Sequence, residues 1–313
     1  MKYYYQAYGI QIISTIVLPA LFSTEQNVTV QPIIVVEGKI PELLQNTPIF
    51  QNANTIYNEQ EFSFEVPGVA RYYVANGVSV TIEPISGNME EVLLYFYSNC
   101  FAFILFQRSI FPFHVSGVFI DERQVLLLAA ASGTGKSTTA IKLKELGYTI
   151  FTDDTAAIFV ENKQTYALAS YPIIRLKKDS INYQDAVPLS DQFPLRGEQE
   201  SEKFGFYFHK HFYPSKAKVA GIVFLENNGT DISIKRLKHT ECIPLLSKSI
   251  YRKRWLYGLN KEALKYKLLT EICQTVPAFK ASRPENTLTF NSFASAINSE
   301  IIGKILIENK ILP

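Results

Sequence analysis

The stretch LLLAAASGTGKSTTAIKLKEL, residues 126–146, constrains this chain more than any other. An apolar run ends in a small-residue turn carrying two glycines, and a helical pattern begins at once behind it. A strand, loop and helix in this order leave the first N–H groups of the helix without intrahelical acceptors, with the helix dipole behind them. Phosphate is the ligand such a helix start suits. Gly133 and Gly135 let an oxygen approach backbone where a side chain would collide. Lys136 adds a point charge for the β- and γ-phosphates, and Ser137 a hydroxyl for Mg²⁺. Ser132, Gly133, Thr134, Gly135, Lys136, Ser137 and Thr138 therefore form the candidate nucleotide cradle, with ATP and Mg²⁺ as cofactors. The pattern G-x-x-x-x-G-K-[ST] is kept except at Ala130, where its first glycine would stand.

A phosphate loop says nucleotide, not reaction. Here Gly147 ends a short helix bearing Ile141, Leu143 and Leu146, and Tyr148–Thr152 reads as a strand returning alongside the loop. That return brings Asp153 and Asp154 to the phosphate end of the sheet. Beside Mg²⁺, one carboxylate can serve the metal while the other faces an incoming nucleophile.

The rest of the chain fits an α/β architecture around that core. Residues 1–87 read as a β-rich N-terminal region, with alternation in Phe62–Val66 and Val78–Ile82. Asn88, with Glu91 three residues on, opens an apolar helix through about Arg108, which starts a second region, 88–313. A hairpin at Val115–Ile120 and Val125–Ala129 follows, and a second is expected at Val219–Leu225 and Ile232–Ile234 around Asn227–Thr230. Residues 180–203 are a polar stretch of little periodicity, read as a functional or mobile loop. Asn260 is placed to cap a helix over Lys261–Val276, and a last helix is expected near Ala296–Glu308. His209 and His211 would share one face of a strand.

Composition excludes several classes. A net charge of +2 spread over 313 residues leaves no nucleic-acid footprint, and the basic run Tyr251–Trp255 is short. Cys100, Cys242 and Cys273 are far apart and show neither metal spacing nor a disulfide framework, which suits a reducing cytoplasm. Ile10–Phe22 has too many polar and β-branched residues for a signal segment and reads as a strand. The run Phe101–Phe106 is too short to span a bilayer and reads as a buried helix, so no membrane partner is expected.

Three pieces in order, FPFHVSGVFI, SGTGKSTTA and GYTIFTDDTAAI, resemble the HPr kinase/phosphorylase family of P-loop serine kinases. They look closest to the related kinases of lasso-peptide and other ribosomal-peptide clusters. The resemblance covers residues 110–160 firmly and the remainder weakly. It implies an HPr-kinase-like P-loop core with a mixed sheet, Asp153 as general base, His114 beside it as a tuning group, and Lys136 on ATP. Ser137 and Asp154 would manage the metal. The substrate implied is a serine hydroxyl at the C-terminal end of a precursor peptide, and a homo-oligomer is possible because HPr kinases assemble. The family's Glu-Ile-Arg-Gly segment has no counterpart; Arg175 lies in that region as a candidate phosphate contact, with Lys203 and Arg252 for an acidic group of the substrate. Two other readings stand beside this one: a kinase of a small metabolite, and an ATP-binding regulatory protein without chemistry.

Overall fold

The computed structural model describes residues 1–26, 31–177, 192–194, 203–285 and 289–311, with 177, 192–194, 203 and 309–311 entering through their backbone alone. Most of the polar stretch 180–203, and the side chain of Lys203, lie outside the described residues.

The architecture is mixed α/β. Its N-terminal part is a nine-stranded sheet with Phe22–Ser23 at one edge and Phe50–Gln51 at the other. Period-two patterning does what the sequence requires: Phe62 and Phe64 are buried on one face while Ser63 between them is not. Two tight turns set the registers. Asn76 and Gly77, at φ 53° and 66°, join Ala70–Ala75 to Ser79–Pro84, and Tyr8 and Gly9, at φ 51° and 69°, join Tyr3–Ala7 to Ile10–Ser14. Both pairs supply the left-handed conformation that short hairpins favour. The strand expected over Ile10–Phe22 is thus two pieces, Ile10–Ser14 and Phe22–Ser23.

Asn88 caps the next helix as anticipated, its Oδ1 accepting from the Glu91 N–H at 3.4 Å. Helical turns continue from Met89 to Gln107 through a π segment at Phe96–Cys100. The helix is long and apolar enough to cross a membrane by composition, but 72% of the relevant window is buried inside the protein. From Phe96 to Phe106 every residue is buried, so all but Ser98 and Asn99 in that stretch are apolar. Phe103 stacks on Phe62 of the N-terminal sheet with centroids 4.3 Å apart, and Phe101 lies 6.3 Å from Tyr171 on the other side. One apolar core therefore runs from Tyr72 through this helix to Phe113, Leu127 and Phe151.

The second large sheet holds the phosphate loop. Its order is Pro112–Phe113, Ala156–Glu161, Gln164–Ala169, Ala217–Glu226, Gln124–Ala129, Val115–Phe119, Thr149–Thr152. Gln124–Ala129 runs parallel to Ala217–Glu226 and antiparallel to Val115–Phe119. The helix Lys136–Glu145 crosses over to Thr149–Thr152, which pairs with Val115–Phe119 and so lies one strand away from the loop strand. The two strands still point the same way, so the double aspartate reaches the loop's end of the sheet. Leu146 is 46% exposed, so it is not part of that helix's buried face.

Other expectations change where distant strands compete. The second hairpin does not form: Ala278–Ser282 pairs in parallel with Ala217–Glu226, and Ser233–Arg236 pairs with Ala278–Ser282 on its far side. Asn260 is not the cap of the helix Glu262–Thr275; it sits at φ 52° and its amide donates to Glu59 Oε1 at 2.7 Å. His209–His211 is a 3-10 turn rather than a strand, and no metal-holding cluster occurs among the described residues. Cys242 and Cys273, far apart in sequence, are free buried thiols with sulfurs 2.6 Å apart. The last helical run begins at Phe290, earlier than expected, and packs Phe293, Ile297 and Ile301 against Ile141 and Leu143 of the loop helix.

Candidate active site

The loop helix opens at Lys136 behind Gly135, whose φ is 106°; Gly133 has φ 86°. Gly135 is also boxed in, since a β-carbon there would stand 2.6 Å from Phe290 Cε1. Phe290 is held by Arg283, its guanidinium carbon 3.9 Å from the ring centroid, and Arg283 donates to the Thr134 carbonyl at 3.1 Å. The C-terminal segment thus braces the loop from outside. Ala130 is not among the positive-φ residues, so a β-carbon costs no backbone strain where the pattern has its first glycine.

A single pocket gathers most of the expected site. It is lined by His114, Ser132, Gly133, Gly135, Lys136, Ser137, Thr138, Asp153, Asp154, Arg175 and Leu176. Thr134 is buried and turned to the Arg283 side by its carbonyl.

Asp153 is 2% exposed and its carboxylate is the hub of the site. Oδ1 accepts from Ser116 Oγ at 2.5 Å and from Ser137 Oγ at 2.8 Å; Oδ2 accepts from Ser137 Oγ at 3.0 Å and from the Arg175 backbone N–H at 2.9 Å. These bonds give both oxygens of the buried carboxylate hydrogen-bond donors in place of water.

Asp154 faces elsewhere. Its φ of 71° turns the chain sharply, and its Oδ2 meets Arg175 Nη1 at 3.0 Å. The sequence paired Ser137 with Asp154 for the metal; in the fold the hydroxyl of Ser137 touches Asp153, while Asp154 is engaged by a guanidinium. Arg175 also donates Nη2 to the Tyr171 hydroxyl at 3.0 Å. Burial works to lower the Arg175 pKa, but Asp154, together with Tyr171, Tyr251 and Asp153, outweighs it and the net shift is upward, so the guanidinium stays charged.

His114 Nδ1 lies 2.8 Å from the Asp154 carbonyl oxygen and 3.5 Å from its Oδ1. A carbonyl only accepts, so Nδ1 carries the hydrogen and Nε2 is the acceptor for the Lys136 ammonium at 2.9 Å. Burial, and then the Lys136 charge, push the imidazole pKa below its usual value, consistent with a neutral ring. His114 and Asp153 line the same pocket, and the hydrogen bonds of His114 go to Lys136 and Asp154. Lys136 also donates to the Ala130 carbonyl at 3.0 Å.

Three features escaped sequence reasoning. Ser116 lies two residues past His114, on the same side of an extended chain, a signal that was available. Tyr8, from the N-terminal hairpin turn, bonds the Thr155 hydroxyl at 2.7 Å and so pins the double-aspartate turn; nothing local marks it. Arg283 and Phe290 likewise reach the loop only through the tertiary fold. Arg252 does not line the pocket; its guanidinium stacks over Tyr251 and Trp255 at 5.4 and 5.6 Å.

No family model and no curated protein matches this chain. Among solved structures it is similar to an HPr(Ser) kinase/phosphatase from Coxiella burnetii, at 11% sequence identity and a TM-score of 0.30, over 62% of this chain and 98% of that one.

Proposed function

We propose that this chain is an ATP-dependent kinase that transfers the γ-phosphate to a serine hydroxyl of a peptide or protein, a ribosomally made precursor peptide of the lasso type being the substrate favoured by the sequence resemblance. One observation carries the reading: a buried carboxylate, Asp153, is hydrogen-bonded to the loop hydroxyl of Ser137 in the same pocket that Lys136 and the loop backbone line.

The roles follow from the contacts. The glycine-bearing loop and the start of the helix bind the phosphates through backbone N–H groups. Lys136, held between Ala130 and His114, presents its charge to them. Ser137 offers a hard oxygen beside the Asp153 carboxylate, a donor set that fits Mg²⁺, and is the group that would hold it. When bound, Mg²⁺ would neutralise phosphate charge and align the triphosphate. Asp153, steadied by Ser116 and by the Arg175 N–H, accepts the proton of the attacking hydroxyl. His114 orients Lys136 and the Asp154 turn and carries no net charge into a site already holding two cations.

The test is Asp153→Asn, which keeps the size of the side chain and removes its basicity. Magnesium-nucleotide binding, followed by calorimetry, should persist, while phosphate transfer to a serine peptide falls by about 10²-fold or more. Full activity in that variant would refute the general-base assignment. Turnover of small hydroxyl metabolites but not peptides would move the reading to a metabolite kinase, and nucleotide binding with no transfer to any acceptor would make the chain a regulatory ATP-binding protein.

A further inference from the structure

We propose that the groove between strand Phe50–Gln51 and the segment 251–258 binds an extended acidic stretch of the polypeptide that brings the acceptor hydroxyl, an inference that rests on the kinase reading above. The groove holds about 690 Å³ and is lined by Phe50, Gln51, Tyr57, Arg254, Trp255 and Tyr257, among others. Its floor is aromatic and fixed. Phe50 stacks on Tyr57 with centroids 5.2 Å apart, and Trp255 rests on Phe62 at 5.0 Å. The two walls are locked together, since the Tyr57 hydroxyl donates to the Tyr257 carbonyl at 3.3 Å. At Gly258, φ 73°, an added β-carbon would stand 2.1 Å from Ile49 Cγ2, so the bare glycine lets the turn press against the sheet edge. A groove built this way is already shaped before its ligand arrives, which cuts the ordering cost of binding.

Charge and backbone chemistry name the occupant. Among the described residues, Arg254 is the one charged side chain lining the groove, with exposed Lys253 beside it and no carboxylate in the lining. Arg254 lies 5.3 Å over the Trp255 ring, which steadies the cation, and Tyr257 is 69% exposed. Phe50–Gln51 is the last strand of its sheet, so its outer edge can accept another strand. An extended chain with an acidic side chain satisfies all three features.

One short segment, Tyr251–Tyr257, links the groove to the pocket's surroundings. The Tyr251 ring is 5.9 Å from that of His114, and Arg252 stacks over both Tyr251 and Trp255. Three residues, from Tyr251 to Arg254, span at most about 11 Å. An acidic anchor at Arg254 thus suits an acceptor about three to six residues away along an extended chain.

The test uses the full chain and a fluorescein-labelled synthetic peptide of alternating valine and glutamate ending in serine, with a lysine-for-glutamate counterpart as control. Anisotropy should show saturable binding of the acidic peptide, unchanged in Asp153→Asn and weakened roughly tenfold in Arg254→Glu. The lysine peptide should bind only the double variant Lys253→Glu/Arg254→Glu. Equal binding of both peptides, or indifference to Arg254→Glu, would overturn the proposal. So would self-association of the chain that Arg254→Glu abolishes, because the occupant would then be a second copy. Binding without phosphate transfer would leave the groove standing and remove the kinase; transfer indifferent to Arg254→Glu would do the reverse.

Discussion

Replacing Arg175 by Met takes a guanidinium from beside Asp154 while keeping much of its volume. The two side chains are 13% and 14% exposed and joined at 3.0 Å, so water replaces the lost partner poorly. Breaking one half of a buried pair costs roughly 3–5 kcal/mol, mostly from the stranded charge. The residual exposure and the nearby His114 put this site at the low end, about 3 kcal/mol. The double variant Asp154→Asn/Arg175→Met strands no charge, keeps a residue type that tolerates the left-handed φ at position 154, and should recover to within about 1 kcal/mol of the parent. The Arg175 backbone N–H still reaches Asp153 in every variant, so the hub is spared. Urea unfolding, with and without a non-hydrolysable ATP analogue and Mg²⁺, measures both quantities. The reasoning expects a large loss in the single variant, recovery in the double, and magnesium-dependent nucleotide binding in the double. An Arg175→Met protein as stable as the parent, or a folded double variant that no longer responds to Mg²⁺, would refute it; the latter would return Asp154 to the metal.

Gly135→Ala should lose nucleotide binding and at least about 1–2 kcal/mol of stability, because its left-handed backbone and the ring of Phe290 both refuse a methyl group; adding Phe290→Ala should restore part of the melting temperature by relieving the second term alone. His114 has a folded-state pKa pushed below its ordinary 6.5 by burial and then by Lys136, so its contribution to stability is full above that value and lost as pH falls towards the depressed one. His114→Gln should therefore flatten the loss of stability seen on acidification from about pH 7 to pH 5. Glu61 is desolvated, yet hydrogen bonds from the Gln45 backbone, Tyr73, Asn58 and the Asn46 backbone lower its pKa from 4.5 to about 2. Its ionised form stabilises the fold above pH 4.5 and is lost as pH falls through about 2. Glu61→Gln should cost up to about 3 kcal/mol at neutral pH, less what solvent screens, and remove that acid limb from a denaturation series.

Local chemistry was legible without coordinates. Apolar residues before Ser132, two glycines and Lys136 specify strand, turn and helix start within a dozen positions, because backbone conformation and orphan N–H groups are decided by near neighbours. The Asn88 cap and the apolar helix that follows it are readable for the same reason. What sequence could not decide is which distant groups win each contact. Ala278–Ser282 displaces Ser233–Arg236 from the expected hairpin, since a parallel partner arriving from another helix buries more than a local turn does. Asp153 and Asp154 are adjacent and identical in type, yet one collects Ser116, Ser137 and a backbone N–H while the other takes Arg175. That division depends on a left-handed φ at residue 154 and on a tyrosine at position 8 holding the turn, and only long-range packing sets either.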